Sequence, residues 1–395
     1  MSLPPPGDDA LPPGRIKSRP EDFRVDEVPL YEPSGRGGHV FVHLEKRGLT
    51  TDEAVRALAR AVGAAPRDVG VAGMKDKIAV TTQWVSVPVP QAGRAGAADE
   101  LLARLHGLEL PGLRVLAAHL HDHKLKTGHL EANRFTLVVR GVPRARAAEV
   151  QARLAALEVR GVPNAYGEQR FGVRGDNVER ALRWIRGEAS PPRDTRLARL
   201  HWSAVQSWLF NEVLARRLAD GTWAIPLEGD LLKKEASGGL FHCTDVISDR
   251  ARADAFEVSP TGPMVGVKMM APTGAPGDLE REVIDGGLGP DFDLAKVRKF
   301  GEGTRRALRF PLRELATELL EDDAGRPDEC AIRARFVLPK GAYATTVLRT
   351  AVRLYETAAE TRASLGAEAT PDSLPPDLLP SSPSPDARKL ELHDD

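Results

Sequence analysis

The amino-acid sequence predicts an α+β fold that contains an inserted α/β region. Short segments rich in β-branched residues alternate with turns, and amphipathic helical stretches separate or follow them. Gly, Pro and Asp become frequent between residues 229 and 303, which is typical of a loop-rich α/β insertion. With 42% apolar and 28% charged residues in 395, the composition excludes a coiled coil, a collagen-like fibre and disorder throughout.

The first structured segment is predicted to contain two strands and a helix. Residues 23–28 and 39–44 are short and β-branched, and a Gly-rich turn at residues 33–38 separates them. The sequence Thr-Thr-Asp-Glu at 50–53 is typical of a capping box, and apolar residues then follow helical spacing up to Gly63. We therefore predict a short amphipathic helix over this stretch.

The later elements follow from the same signals. Strands are predicted at residues 84–89, 135–140 and 334–338, and alanine-rich helices at residues 97–105 and 145–157. A strong helix is predicted to begin at Ser203 and to end near Gly221, and the last helix to cover residues 345–357.

Both ends of the chain are predicted to be unpacked tails. Residues 1–14 and 366–395 combine Pro and acidic residues without any apolar period. No window has 18 uninterrupted apolar residues, and no basic segment leads into an apolar one at the N-terminus, so neither a membrane span nor a secretory signal is expected. The two cysteines provide no disulfide framework, and we expect a soluble, cytoplasmic protein.

The charge of the chain by itself does not identify a partner. The net charge is −1, with 55 basic and 56 acidic residues. Residues 366–395 contain 7 acidic and 2 basic residues, and residues 1–14 contain 2 acidic and none basic, so the remainder has a basic excess of 6. This excess is compatible with a phosphate-rich partner, but many ordinary enzymes share it.

One segment combines a glycine, a cation and a carboxylate in a predicted turn before a strand. Gly73, Lys75 and Asp76 lie in this segment, where a neighbouring cation would hold Asp76 ionised. A charged surface turn explains the same residues. The guanine-specificity element of GTPases also pairs Lys with Asp, but no phosphate-binding loop accompanies it here.

Other polar clusters are weaker signals when taken one by one. Residues 161–172 combine hydrogen-bonding and aromatic side chains between glycines, which turn chemistry explains equally well. Asn133 and Phe135 fit a polar cap and a core aromatic residue, and residues 341–346 fit a helix N-terminus. The histidines of residues 121–126 are interpreted as part of a solvated basic loop, and no metal site is predicted.

Taken together, these segments resemble the TruD family of pseudouridine synthases. The family's Gly-x-Lys-Asp, followed by Ala-x-Thr-x-Gln, is matched by residues 73–83. Its Lys followed by Pro-Glu-Asp-Phe-x-Val-x-Glu is matched by Lys17 and residues 20–27. The remaining motifs match, in the family's order, residues 132–136, 164–172, 203–211, 259–264 and 338–345. The resemblance extends over residues 15–359.

Three positions depart from the family pattern. Ala132 replaces Gly, Ala165 stands where the family usually has an aromatic residue, and Tyr343 stands where bacterial members often have Phe. None of them touches the motif of Asp76, so we interpret them as tuning of fit.

The resemblance implies a transfer RNA pseudouridine synthase that isomerises uridine 13 in the D arm. In this reaction the N1–C1′ bond breaks, the base turns over and C5 bonds to C1′, so no cofactor and no metal are expected. The resemblance assigns the catalytic carboxylate to Asp76, as nucleophile or as base. Lys17 is the first candidate for its positive neighbour, and Lys75 is the second.

The resemblance also implies a role for the remaining candidates. The enzyme must extrude the base from the RNA stack, and Phe135 and Tyr343 would sandwich it at about 1–3 kcal/mol per stack. For Phe135, a place in the core of its strand is the alternative. Asn133 would bind Asp76 or a base edge, and Lys124, Lys126 and Arg170 would bind phosphates.

The domain organisation that the resemblance implies is discontinuous. A pseudouridine synthase-type mixed antiparallel sheet with flanking helices would comprise residues 15–160 and 325–362, interrupted by a family-specific α/β domain at residues 161–324. Transfer RNA would lie in the cleft between the two, and a monomer is expected. A non-catalytic RNA-binding factor and a small-molecule hydrolase using Asp76 are the two alternatives.

Overall fold

The structure is a computed structural model that describes residues 11–90, 93–172, 175–321 and 326–355. Its strands are β1 (Pro13–Arg15), β2 (Phe23–Pro29), β3 (His39–Arg47), β4 (Gly70–Val71), β5 (Val80–Pro88), β6 (Glu109–Leu110), β7 (Leu113–His121), β8 (Leu130–Pro143), β9 (Val162–Pro163), β10 (Leu231–Lys234), β11 (Leu240–His242), β12 (Val258–Met264), β13 (Thr304–Ala307), β14 (Arg309–Phe310), β15 (Arg313–Glu321), β16 (Glu329–Pro339) and β17 (Arg353–Tyr355). Its helices are α1 (Thr51–Val62), α2 (Ala97–Leu105), α3 (Ala147–Arg160), α4 (Asn177–Ile185), α5 (Thr195–Ala219), α6 (Val246–Asp254), α7 (Gly274–Leu288) and α8 (Ala344–Leu348).

Eleven of these strands form one large mixed sheet. The order along its main path is β15-β16-β8-β2-β5-β3-β7-β6. Only β2 and β5 are parallel on this path, while the other neighbours are antiparallel. The predicted α+β class, with a mostly antiparallel mixed sheet and flanking helices, is confirmed.

The α1 helix begins and ends where its sequence signals indicate. The Thr50 hydroxyl accepts a hydrogen bond from the Glu53 amide, and the Glu53 carboxylate accepts one from the Thr50 amide. Gly63 ends the helix with φ 73°, a left-handed conformation in which a Cβ atom is unfavourable. This capping box fixes the N-terminus of α1, which lies beside the site described below.

Two cores cover different parts of the large sheet. In the first, α1 and α2 pack on β3, β5 and β7 through apolar residues such as Leu44, Leu58 and Leu105. In the second, α3 and α8 pack on β8 and β16, where Leu137, Leu154, Phe336 and Val347 are buried. A helix-covered sheet face of this kind is stabilised mainly by burial of apolar surface.

Residues of the middle of the chain build a separate smaller sheet. Its strand order is β11-β10-β12-β13, and α4, α5 and α7 enclose a core around Trp202 and Leu209. Two buried ion pairs lie in this part: Arg217 with Asp230, and Arg305 with Glu280. The two-stranded pair of β9 and β14 lies where the chain leaves the large sheet and returns to it.

The expectation that residues 1–14 form an unpacked tail is wrong for residues 11–14. Leu11 is buried, and Pro13–Arg15 pairs in parallel with Arg353–Tyr355. These residues pack because residues 353–355, near the other end of the described chain, provide a strand partner for them. No local apolar period reveals such a distant partner. Residues 1–10 and the predicted acidic tail at 366–395 lie outside the described residues.

The predicted last helix is also wrong beyond its first turn. The helix ends at Leu348, and Arg353–Tyr355 forms β17 instead. Leu348 and Val352 are buried, as predicted for an apolar face, but the pairing of β17 with β1 determines the conformation of the strand. Residues 356 and 357 lie outside the described residues.

The other long helix begins earlier than predicted. The α5 helix begins at Thr195, where the Asp194 side chain accepts a hydrogen bond from the Arg196 amide. Ser203 therefore lies within the helix and does not cap it. The first two turns are rich in Arg and lack a clear apolar period, which hides them in the sequence.

The predicted insertion extends too far toward the C-terminus. The sequence predicts an inserted domain at residues 161–324. Its last part, Arg313–Glu321, is instead β15, which pairs with β16 in the large sheet. The alternation of β15 is weak, because much of this edge strand is exposed.

The histidine-rich segment is not a solvated loop throughout. His121 is buried at the end of β7, and its ring stacks on Tyr31 with centroids 5.3 Å apart. The Phe41 ring lies 4.0 Å from it. Aromatic neighbours from distant parts of the chain therefore remove His121 from solvent.

Within the residues described, none of the helices combines the length and apolar character that a bilayer crossing requires.

Candidate active site

Asp76 lies in the loop between β4 and β5, at one end of the large sheet. Its side chain is 61% exposed, and Lys17 Nζ lies 3.7 Å from Asp76 Oδ2. The Lys17 side chain is largely buried, with 16% exposed. The first predicted candidate for the positive neighbour of Asp76 is thus the one that the structure brings beside it.

Lys17 adopts an unusual backbone conformation. Its φ is 55°, in the left-handed region that residues with a Cβ rarely occupy. The ammonium lies 4.7 Å from the centroid of the Phe23 ring, a cation–π contact that helps to direct the side chain. Strained residues of this kind cluster at functional sites, so the conformation supports a role for Lys17.

Lys75 does not face Asp76 with its ammonium. Its Nζ forms a buried ion pair with Glu27 Oε2, and Glu27 Oε1 accepts a hydrogen bond from the Trp84 amide. Through Glu27, Lys75 therefore connects the loop to β2 and β5. Its positive charge is neutralised by Glu27.

Lys46 binds the backbone of the loop that carries Asp76. Its side chain is fully buried on β3, and its Nζ donates to the carbonyl oxygens of Leu49, Lys75 and Asp76 at 2.8, 3.2 and 2.7 Å. An ammonium has three N–H donors, so these three acceptors match it. Burial lowers the pKa of Lys46 to about 8, with Asp76 and Glu53 opposing the shift and Lys75 adding to it.

The N-terminus of α1 supplies a further contact to the loop. The Thr51 hydroxyl accepts a hydrogen bond from the Lys75 amide at 2.9 Å and donates to Gln83 Oε1 at 3.2 Å. Residues from β2, β3, β5 and α1 thus fix the backbone on which Asp76 stands.

Asn133 lies two strands away from the loop on the same face of the sheet. It is the cross-strand partner of Glu27 on β2 and of Leu338 on β16, and directly paired residues in antiparallel strands share a face. Its Oδ1 atom is buried and has no hydrogen-bond partner among the described residues. An unpaired buried acceptor at this place leaves a polar group available to a ligand or to water.

Phe135 occupies the core next to Asn133. It is 7% exposed and lies between Phe23, at 6.3 Å edge to face, and Phe336, at 5.7 Å. The alternative given by the sequence, a core residue of its strand, describes this placement. Most of the ring surface that stacking on a base requires is occupied by these two neighbours.

Tyr343, in contrast, is open to solvent, with 56% exposed. It precedes the α8 helix, and a short path of contacts connects its segment to the loop of Asp76. Lys340 Nζ donates to the Gly128 carbonyl, and the Gly128 amide donates to the Ala72 carbonyl at 2.7 Å. Through Gly128, the segment of Tyr343 is thus connected to Ala72, at the start of the loop that carries Asp76.

The three predicted phosphate-binding residues are not together. Lys124 is half-buried and donates to the Arg67 carbonyl at 2.8 Å, and Lys126, close to it in the chain, is exposed. Arg170 belongs to the smaller sheet's part of the molecule, where it contacts Ser203 and Ser207 on α5.

A cleft of about 780 Å³ separates the end of the large sheet from the smaller one. Ala132 and Val337 line it from the large sheet, and Lys233, Lys234 and Arg252 from the smaller part. Across the ranges described, no group of three or more His, Cys, Asp or Glu is arranged to hold a metal ion.

The chain is similar to known proteins over most of its length. The family model for tRNA pseudouridine synthase D matches residues 12–190 and 189–351. The chain is 47% identical over 341 residues to the tRNA pseudouridine synthase D of Anaeromyxobacter dehalogenans, which covers 85% of this chain and 92% of that one. It is 39% identical over 344 residues to the enzyme of the same name from Thermus thermophilus, covering 86% and 89%.

The chain belongs to the TruD family. It is therefore a pseudouridine synthase, an enzyme of the isomerase class. A crystal structure described as a tRNA pseudouridine synthase D from Methanosarcina mazei has the same fold, with a TM-score of 0.72 and 24% identity. The two structures align over 87% of this chain and 94% of the other.

Sequence reasoning missed three of the residues that hold the loop of Asp76. Lys46 continues the buried positions Val40, Val42 and Leu44 along β3, so a lysine in an apolar period of two is the signal that could have found it. Glu27 and Thr51 lie in segments that were recognised, but as part of a family motif and of a capping box. Their contacts with Lys75 join positions 24 and 48 residues apart, and no local pattern encodes such contacts.

Proposed function

We propose that this protein isomerises uridine to pseudouridine in transfer RNA, at position 13 of the D arm, with Asp76 as the catalytic carboxylate. The observation that carries the proposal is the pair of Asp76 and Lys17. An exposed carboxylate lies 3.7 Å from a largely buried ammonium, on a loop fixed by contacts from four elements.

The reaction requires a carboxylate that is both ionised and reachable. Cleavage of the N1–C1′ bond, rotation of the base and formation of the C5–C1′ bond balance within one nucleotide, so no external group is consumed. Asp76 would act at the sugar as nucleophile or as base. Lys17 is the positive neighbour of Asp76, and its contacts with Phe23 and Asp76 help to fix its position.

The fixed backbone matters because catalysis depends on position. Lys46, Thr51 and the pair of Lys75 with Glu27 restrict the loop, while the Asp76 side chain itself stays exposed to solvent. A group held in this way loses little conformational entropy when the substrate binds.

The substrate base would have to leave the RNA stack to meet Asp76, at a cost of a few kcal/mol. Tyr343 offers an exposed ring for the extruded uracil, and such a stack contributes about 1–3 kcal/mol. Phe135, which is 7% exposed, would contribute part of an apolar surface beside Asn133. The unpaired Asn133 Oδ1 would accept a hydrogen bond from uracil N3–H or from an ordered water.

The test is Asp76→Asn, which keeps the size of the side chain and removes its charge. We expect loss of pseudouridine formation in a purified transfer RNA, with RNA binding within a few-fold of wild type. Asp68→Asn, at another exposed carboxylate on the surface, serves as the control and should retain full activity.

Three outcomes separate the alternatives. Turnover near the wild-type rate in Asp76→Asn would show that another group does the chemistry. Binding of transfer RNA without any product in the wild type would favour a non-catalytic binding factor. An absence of RNA affinity would favour a small-molecule enzyme.

A further inference from the structure

Three separated sequence motifs meet around one aromatic residue of the smaller sheet's part. Tyr166, from residues 164–172, is held by Asn211 of α5, which accepts from the Tyr166 amide and donates to its carbonyl, both at 2.9 Å. The Tyr166 hydroxyl donates to Met264 Sδ at the end of β12. The position of the Tyr166 ring is therefore fixed by two other elements.

Two guanidinium groups lie against this ring. Arg306 Cζ is 4.1 Å from the ring centroid, and Arg170 Cζ is 5.4 Å from it. Arg306 donates to Asn164, through both its carbonyl and its side-chain oxygen, and to the Tyr166 hydroxyl. Arg170 donates to the Ser203 and Ser207 hydroxyls. All these acceptors are neutral.

The absence of an acidic partner distinguishes these two arginines. Arg140, Arg217 and Arg305, which are also largely buried, each pair with a carboxylate. Among the side chains that the structure describes, which do not include that of Glu168, no carboxylate forms an ion pair with Arg170 or Arg306. Buried charges in proteins are normally paired, so two adjacent unpaired cations indicate a place for an anion.

The electrostatics of Arg306 agree with this interpretation. Burial lowers the pKa of Arg306, Tyr166 opposes the shift, and the positive charge of Arg170 lowers the pKa further. The exposed Tyr343 also raises the pKa of Arg306 slightly, so its hydroxyl lies near enough to act on this cluster. Arg306 uses one N–H of each of its three nitrogens, so two of its five N–H groups remain for a ligand.

We infer that Arg170 and Arg306 form a binding site for one phosphodiester group of the RNA backbone, close to the nucleotide that Tyr343 would receive. The inference rests on the proposed function, because RNA is the source of the phosphate. Guanidinium groups bind phosphate oxygens through paired charge-assisted hydrogen bonds. A phosphate held here would fix the register of the RNA relative to Asp76 while carrying no sequence information.

The experiment measures transfer RNA binding over a series of salt concentrations, with Asp76→Asn as the parent so that no turnover occurs. Arg306→Gln and Arg170→Gln are each expected to lower the slope of log Kd against log salt by about one, the value for one lost phosphate contact. The double variant should lose little more than either single variant, because both side chains would contact the same phosphate.

The control is Arg281→Gln, which removes a charge from an exposed ion pair with Asp278 on α7. Its salt slope should equal that of the parent. An unchanged slope in both Arg170→Gln and Arg306→Gln would overturn the inference while leaving the proposed function intact. A parent that does not bind transfer RNA at all would instead contradict the proposed function.

Folding and free phosphate are tested separately. Arg306 also donates hydrogen bonds to Asn164, so thermal unfolding is measured for every variant. If Arg306→Gln proves to be unfolded, the salt slope of Arg170→Gln alone decides the test. Arg170→Lys should restore most of the slope, because a lysine still binds phosphate as a point charge. If inorganic phosphate at constant ionic strength stabilises the wild type but not Arg170→Gln, and the RNA slope is unchanged, the site binds a free anion and the assignment to RNA is wrong.

Discussion

Lys46 places an ammonium group on the inner face of the sheet, where no part of its side chain reaches solvent. Burying a charge there costs stability, and the three carbonyl oxygens around Nζ offset only part of this cost. Two of those oxygens belong to Lys75 and Asp76. The residue therefore positions the backbone of the proposed catalytic carboxylate.

Deprotonation of Lys46 at high pH should affect activity and stability in opposite directions. Its pKa falls from 10.5 in the unfolded chain to about 8 in the folded one, so between these values the unfolded state holds the extra proton. The stability that Lys46 contributes therefore rises as the pH increases through this window. Activity should fall above pH 8, because the neutral amine has only two N–H groups for three acceptors.

Lys46→Met tests this role. We expect kcat to fall by roughly 10- to 100-fold, since a hydrogen bond to a charged group contributes about 1.5–3 kcal/mol. Binding of transfer RNA should stay unchanged, and the decline in kcat above pH 8 should disappear. A variant that keeps the wild-type pH profile of kcat would show that Lys46 has a structural role alone.

At the scale of elements, the N-terminus of α1 has two functions on adjacent residues. Thr50 caps the helix, and Thr51 contacts the loop through the Lys75 amide and Gln83. The same turn thus determines where the helix begins and where the loop of Asp76 is held.

Substitutions at these two residues should separate the functions. Thr51→Val keeps the shape of the side chain but leaves the Lys75 amide without its acceptor, at about 1–3 kcal/mol of stability, and should also lower kcat. Thr50→Ala removes the cap, at about 1 kcal/mol, and should leave kcat near wild type. Chemical denaturation and single-turnover kinetics on both variants provide the measurement, and equal loss of kcat in the two would contradict the assignment.

Elements whose signals are local were predicted well from the sequence. The capping box and Gly63 delimit α1, and the β-branched segments at residues 23–28 and 39–44 correspond to β2 and β3. The segment of residues 353–355 was predicted as a helix because its apolar spacing fits one. It forms a strand because β1, more than 300 residues earlier, pairs with it.

The whole molecule depends on the place where the two parts join. Arg309 is buried there and donates to the Arg160 and Ala253 carbonyls, and its guanidinium lies 4.4 Å from the centroid of the Phe256 ring. Gly161 has φ +84°, and a Cβ atom at this position would lie 3.0 Å from Phe256 Cε1 and from the Phe310 carbonyl oxygen. A side chain here would be strained and would require these neighbours at the junction to shift.

Gly161→Ala should therefore destabilise the protein by about 1–3 kcal/mol, the cost of strain at a left-handed position. It should also raise KM for transfer RNA, because both sides of the cleft would contact the substrate, while kcat stays near wild type. Gly286→Ala on the exposed face of α7 is the control, since a Cβ there meets nothing within 4 Å and gains up to about 1 kcal/mol of helix propensity. Thermal unfolding and steady-state kinetics distinguish the two, and an unchanged KM in Gly161→Ala would show that the junction does not control RNA binding.

The sequence by itself determined the fold class, most of the local elements and, through motifs in a fixed order, the family with Asp76 and Lys17 as candidates. Capping, alternation and residue spacing act over a few residues, and a motif preserves residue types without their contacts. Only the tertiary structure decided that Lys75 pairs with Glu27, that Lys46 supports the loop, that Phe135 is buried and that Arg306 joins Arg170 on Tyr166. These outcomes depend on packing and desolvation between segments far apart in the chain, which no local pattern specifies.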